Sequence, residues 1–70
     1  MALIYIVEDD QNIREIESFA LKNSGYTIMD FECAKDFYHQ LAEKVPDCIL
    51  LDIMLPDEDG LEILKKIRSI

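Results

Sequence analysis

Ala2-Leu3-Ile4-Tyr5-Ile6-Val7-Glu8-Asp9-Asp10 is the stretch that decides the fold. Its apolar half is rich in β-forming residues and has no polar break. That suits a strand covered on both faces, as in a parallel sheet. The acidic trio then stops the run, and Asp9 or Asp10 can cap a following helix. In that helix Ile13, Ile16 and Ala20 follow the i, i+3, i+7 spacing, with Phe19 and Leu21 widening the apolar stripe. Lys22-Asn23-Ser24-Gly25 reads as its stop, with Gly25 in the left-handed position.

The same alternation continues outward. Tyr26–Phe31 reads as a second strand, more mixed in character and therefore at a sheet edge. A second helix covers Ala34 to Glu43, with Phe37 and Leu41 one turn apart, and Pro46 closes it off. Asp47–Met54 reads as the third strand with its exit. Leu55-Pro56-Asp57-Glu58-Asp59-Gly60 is a loop with proline and glycine turn chemistry. From Leu61 a third amphipathic helix carries Ile63, Leu64 and Ile67. The order β-α-β-α-β-α predicts an α/β fold with a parallel sheet and right-handed crossovers.

Composition narrows the function classes. The 70 residues are half apolar and carry a net charge of −8. Such a chain has enough apolar content to fold, so it is not a disordered composition. No apolar run approaches the ~20 residues of a membrane span. The apolar start is short, lacks a basic flank and runs into acids, so it does not read as a signal peptide. These features lead us to expect a cytoplasmic protein. The negative charge repels phosphate backbones and anionic lipid, so neither nucleic acid nor membrane is expected as a direct partner. Cys33 and Cys48 match no zinc or redox spacing and are expected to be small buried residues. His39 is expected on a helix surface, since no other ligand type sits at metal spacing from it.

Two features break local rules. One is the trio Glu8-Asp9-Asp10 at the carboxyl end of the first strand. The other is Asp52, flanked by apolar residues on both sides. A carboxylate in that setting is costly unless paired, hydrogen-bonded or metal-bound. In open parallel sheets, sites form beyond the carboxyl ends of the strands. If the first and third strands are neighbours, about 4.8 Å apart, Glu8, Asp9 and Asp52 share one pocket. Close carboxylates raise one another's pKa, and a divalent cation relieves the conflict. An all-oxygen set with room for water suits Mg²⁺, and an aspartate beside Mg²⁺ can act as a nucleophile at phosphorus. Simpler readings stand beside these. One acid of the trio is explained by helix capping, and Asp52 could merely turn into solvent where the loop begins. Asp57-Glu58-Asp59 reads as a solvated loop with an N-cap for the third helix. It is no calcium loop, because alignment on Gly60 places Leu55 and Lys66 at the end ligand positions.

Ile4-Tyr5-Ile6-Val7-Glu8-Asp9-Asp10, followed by Leu50-Leu51-Asp52-Ile53-Met54-Leu55-Pro56-Asp57-Glu58-Asp59-Gly60-Leu61, resembles the receiver domain of bacterial two-component response regulators. The resemblance covers all 70 residues. It implies a flavodoxin-like fold with strand order 2-1-3 for the part present. It implies that Asp52 is the phosphoacceptor, forming phosphoaspartate at the expense of a sensor histidine kinase. Glu8, Asp9 and Asp52 would hold Mg²⁺ together with the backbone carbonyl of Met54, with Glu8 acting directly or through water. Pro56 and Gly60 would shape the loop after the acceptor. The family's full strand order is 2-1-3-4-5, so residues 1–70 correspond to the N-terminal part of the domain, without strands four and five. The switching Ser/Thr after strand four and the Lys after strand five are therefore absent. Many relatives carry a C-terminal DNA-binding effector domain and regulate transcription.

The resemblance implies a signalling module rather than an enzyme. A Mg²⁺ phosphohydrolase needs a second acid two residues after its nucleophile, and that position is Met54. The competing expectation is a truncated half-domain that only self-assembles. An exposed third strand is a template for another chain, so a homodimer or strand-exchanged assembly is expected.

Overall fold

The computed structural model describes residues 2–52 and 55–68. The elements are β1 (Leu3–Val7), α1 (Gln11–Asn23), β2 (Thr27–Phe31), α2 (Ala34–Glu43), β3 (Cys48–Leu51) and α3 (Gly60–Arg68). The strands form a parallel sheet in the order β2-β1-β3. The flavodoxin-like order expected from the resemblance is therefore present.

Every residue of β1 is buried, as its unbroken apolar run requires. Alternation along the strand divides these residues between two faces. Leu3, Tyr5 and Val7 join Ala34 and Phe37 of α2 and Ile63 of α3 in one core. Ile4 and Ile6 point to the opposite face. Tyr5, Phe31 and Phe37 meet edge-on, with centroids 5.3, 6.3 and 6.1 Å apart. Such edge contacts suit the ring quadrupoles.

Tyr5 also has a polar role. Its ring is fully buried, and its hydroxyl donates to the Lys44 carbonyl at 2.6 Å, tying β1 to the end of α2. Tyr5→Phe leaves the packing intact but orphans that carbonyl. The expected loss is about 1 kcal/mol, read as a lower urea midpoint at unchanged m-value.

Local signals set the element ends. The Asp10 side chain accepts from the Ile13 amide at 3.0 Å and caps α1. Gly25 has φ 95° and turns the chain after that helix. β2 starts at Thr27 rather than Tyr26, because the Tyr26 amide still donates to Leu21 of α1 at 3.2 Å. β3 covers Cys48–Leu51 of the expected Asp47–Met54, of which Ile53 and Met54 lie outside the described residues. It begins after Asp47, whose amide and carboxylate both bond the Leu3 backbone, at 2.8 and 2.7 Å.

Two expectations about burial are overturned. Ile13, Ile16 and Phe19 of α1 are 46%, 69% and 69% exposed, and Ala20 is exposed as well. The helix instead turns Ser18 inward, with Leu21 half-buried. It packs on β1 and β2, and three strands are too narrow to cover the whole stripe. The cysteines are not core residues either. Both are free thiols, with Cys33 half-buried and Cys48 exposed because β3 is an edge strand. His39 is exposed, as expected.

Candidate metal and phosphoacceptor site

The site grows from the ends of β1 and β3. Val7 and Leu51 are register partners, so the next residue on each strand, Glu8 and Asp52, emerges on the same side of the sheet end. The ladder extends one step further on both sides. The Asp52 amide donates to the Val7 carbonyl at 3.0 Å, and the Glu8 amide donates to the Phe31 carbonyl at 3.0 Å. These bonds fix the backbone beneath both carboxylates. The Arg14 guanidinium donates to the Glu8 carbonyl at 2.8 Å, and the Asp10 amide donates to Glu8 Oε2 at 3.2 Å. The β1–α1 turn is thus held from the helix side as well.

Asp9 follows directly, and one carboxylate oxygen each from Glu8, Asp9 and Asp52 lies within 4.8 Å of the others. Glu8 and Asp52 are half-buried and Asp9 is exposed. A cleft of about 160 Å³, lined by Val7, Glu8, Glu17, Leu50, Leu51 and Asp52, opens beside them. Burial pushes the Glu8 carboxyl above its ordinary value of 4.5, and hydrogen bonds shared with Asp52 and Asp9 push the same way. The Asp10 amide opposes this shift without cancelling it.

The donor set fits a hard divalent cation. At Mg–O distances of about 2.1 Å, two ligand oxygens are at most about 4.2 Å apart. A spacing limit of 4.8 Å therefore needs a small closure, or one carboxylate reaching the ion through water. Mg²⁺ readily retains waters in this way.

The other sequence-selected residues are placed as follows. Met54 lies outside the described residues, as does Ile53. Pro56 is exposed in the loop, and Gly60 is buried at the start of α3. The acids after Pro56 do more than the expected solvated loop with a cap. Asp59 does cap α3, accepting from the Leu61 amide at 2.8 Å. Asp57, however, reaches α2, and its carboxyl is held below the ordinary range chiefly by the Ala34 amide, with help from that of Lys35. Glu58 accepts from the Tyr38 hydroxyl at 3.0 Å and pairs with Lys66 at 2.8 Å. A signal for the Asp57 contact existed in the sequence. Cys33, a poor capping residue, precedes α2, so the helix start had to be satisfied from elsewhere.

No helix among the described residues is long and apolar enough to cross a membrane. Residues 4–70 match the family described as response regulator receiver domain. The DNA-binding transcriptional regulator NtrC of Escherichia coli is 39% identical over 67 residues, covering 96% of this chain and 14% of NtrC. The response regulator TrrA of Thermotoga maritima, solved in complex with Mg²⁺-BeF, superposes with a TM-score of 0.93 at 33% identity. That match covers 99% of this chain and 60% of TrrA. TrrA in complex with the histidine kinase ThkA matches at a TM-score of 0.92 and 33% identity, with the same coverages of 99% and 60%. The chain thus spans only part of each of these relatives. With the motifs, the strand order and the acidic cluster all in register, the chain belongs to the response regulator receiver domain family.

Proposed function

We propose that the chain is the phosphoacceptor part of a two-component signalling system, taking a phosphoryl group onto Asp52 from a histidine kinase. The observation that carries this reading is the convergence of Glu8, Asp9 and Asp52 at the carboxyl ends of two adjacent parallel strands. An ionised Asp52 oxygen forms the new bond to phosphorus as the bond to the kinase imidazole nitrogen breaks. The imidazole takes a proton from solvent on its other ring nitrogen and leaves as the neutral base. Glu8, Asp9 and Asp52, with the Met54 carbonyl, are the residues assigned to hold Mg²⁺, which when bound neutralises charge on the transferred group. Arg14 and the Asp10 amide keep the Glu8 end of the site in place. Pro56 and Gly60 shape the loop behind Asp52. TrrA, seen both with Mg²⁺-BeF and with a kinase, supports these assignments by similarity. In this reading residues 1–70 supply the N-terminal part of a receiver domain. The parent protein carries a DNA-binding effector domain, as the likeness to NtrC suggests. The module itself is a phosphoacceptor and not an enzyme.

The test is direct. The folded chain is mixed with beryllofluoride and followed by amide NMR, with and without Mg²⁺. Mg²⁺-dependent shifts centred on Asp52 and Glu8 are expected, and a folded chain with none overturns the proposal.

A second reading, self-association, is favoured by one observation. Ile13, Ile16 and Phe19 form an exposed apolar stripe on α1, and Leu50 of the edge strand is 39% exposed. Light scattering at micromolar concentration is expected to show a dimer or larger species. A stable, folded monomer rules this reading out.

A further inference from the structure

The start of α2 is capped by a residue far along the chain. Cys33 occupies the N-cap position without a capping hydrogen bond from its side chain. The Ala34 amide donates instead to Asp57 Oδ1 at 2.9 Å, and the Lys35 amide donates to Asp57 Oδ2 at 3.0 Å. Both carboxylate oxygens are thus committed to the first turn of α2. The site is favourable for an anion, because the amides of the first turn and the helix dipole point toward it.

Asp57 belongs to the loop that leads away from Asp52. Around it the loop has other anchors, and each serves a different neighbour. Leu55 packs against the core. Glu58 joins Tyr38 and Lys66, and Asp59 caps α3. Of these acids only Asp57 reaches the β2–α2 junction. With Cys33 at the N-cap, the first turn of α2 depends on a partner from elsewhere, and here that partner comes from the loop after Asp52 rather than from a local serine. The long-range carboxylate adds a mechanical link between the loop after Asp52 and the first turn of α2.

We propose that Asp57 is a positioning residue that couples Asp52 to the β2–α2 junction. Its grip on Ala34 and Lys35 anchors the chain five residues after Asp52, and the effect of a group added at Asp52 is transmitted to those two amides. This rests on the reading of Asp52 as phosphoacceptor.

The experiment separates helix capping from loop positioning. Four chains are compared: wild type, Asp57→Ala, Asp57→Asn, and Asp57→Ala combined with Cys33→Ser. Urea midpoints, initial rates of phosphorylation by acetyl phosphate with Mg²⁺, and the Ala34 and Lys35 amide resonances are measured. Asp57→Ala is expected to lower the rate about 10-fold, as slight misplacement of a reacting group does. Asp57→Asn keeps one acceptor oxygen and should fall between Asp57→Ala and wild type. In the double variant the Cys33→Ser change restores the cap and the urea midpoint, but the rate stays low. Beryllofluoride should shift the Ala34 and Lys35 amides in wild type and not in the double variant. A double variant that recovers the wild-type rate makes Asp57 a helix cap only and overturns the proposal. So does Asp57→Ala reacting at the wild-type rate. A folded wild type that takes no phosphoryl group fails differently: it removes the phosphoacceptor reading and this proposal with it.

Discussion

Asp52→Asn is expected to abolish phosphoryl uptake while making the metal-free chain more stable than wild type. The amide has nearly the shape of the carboxylate, so the backbone bond from residue 52 to Val7 survives. It is no nucleophile at phosphorus, so intact mass after acetyl phosphate and Mg²⁺ should show no added phosphate. It also removes one of three carboxylates whose oxygens lie within 4.8 Å of one another. The gain in metal-free stability should be about 0.5 kcal/mol, a small figure because Asp9 is exposed and water screens the cluster.

The pH dependence has a definite sign. The Glu8 pKa is raised in the folded chain by burial and by its acidic neighbours Asp52 and Asp9. The folded state therefore holds this proton more tightly than the unfolded state. Its contribution to stability is complete below the ordinary value of 4.5 and is lost as pH rises through the folded value. Asp57, with its lowered value, acts in the opposite direction, losing its contribution as pH falls. Comparing wild type with Asp52→Asn cancels Asp57 and isolates the cluster. The stability difference should widen as pH rises through the raised Glu8 value and level off above it. Mg²⁺ should then close it, since a ligand at ten times its Kd adds about 1.4 kcal/mol to the state that binds it. Thermal melts with and without Mg²⁺ at two pH values check this. An Asp52→Asn chain that is less stable without metal, or stabilised by Mg²⁺ as strongly as wild type, contradicts it.

Phe37→Ala is expected to lower the melting temperature by more than about 10 °C. Phe37 is fully buried, with Tyr5, Phe31 and Tyr38 at centroid distances of 6.3, 6.1 and 5.5 Å. Truncating a buried Phe costs about 3–5 kcal/mol in lost transfer energy and cavity formation. A chain of 70 residues has a total stability of about 4–10 kcal/mol. The substitution thus removes a large share of all that holds the fold. Phe19→Ala is the contrast. Phe19 is 69% exposed on α1, and its loss should stay within about 0.5 kcal/mol. Circular dichroism melts of the two variants distinguish them, and equal effects contradict the packing described.

Those two phenylalanines show where sequence reasoning stops. Both sit at helical spacing with other apolar residues, and both read as core. Only the packed structure separates them. Phe37 lies under β1, whose residues Leu3, Tyr5 and Val7 form a wall for it. Phe19 belongs to a stripe that extends past the covered part of the sheet. Cys48 was misjudged for the same reason, since a free Cys counts as a small apolar residue until its strand is known to be an edge.

The site was more legible. Glu8, Asp9 and Asp52 break apolar context at two places, and parallel pairing of adjacent strands is enough to bring them together. Strand alternation, capping and turn chemistry are local, so the order β-α-β-α-β-α and most element ends follow from neighbouring residues alone. The contacts of Asp57 and Glu58 are of another kind. They span 23 and 20 positions in the chain, and local rules assign such acids to solvent. The sequence by itself therefore determined the elements, the parallel sheet and the acidic cluster, because each depends on local periodicity or on one strand pairing. Which apolar faces are covered, and which loop acid holds which helix, was decided only by tertiary structure, because burial and long-range hydrogen bonds depend on where whole elements come to rest.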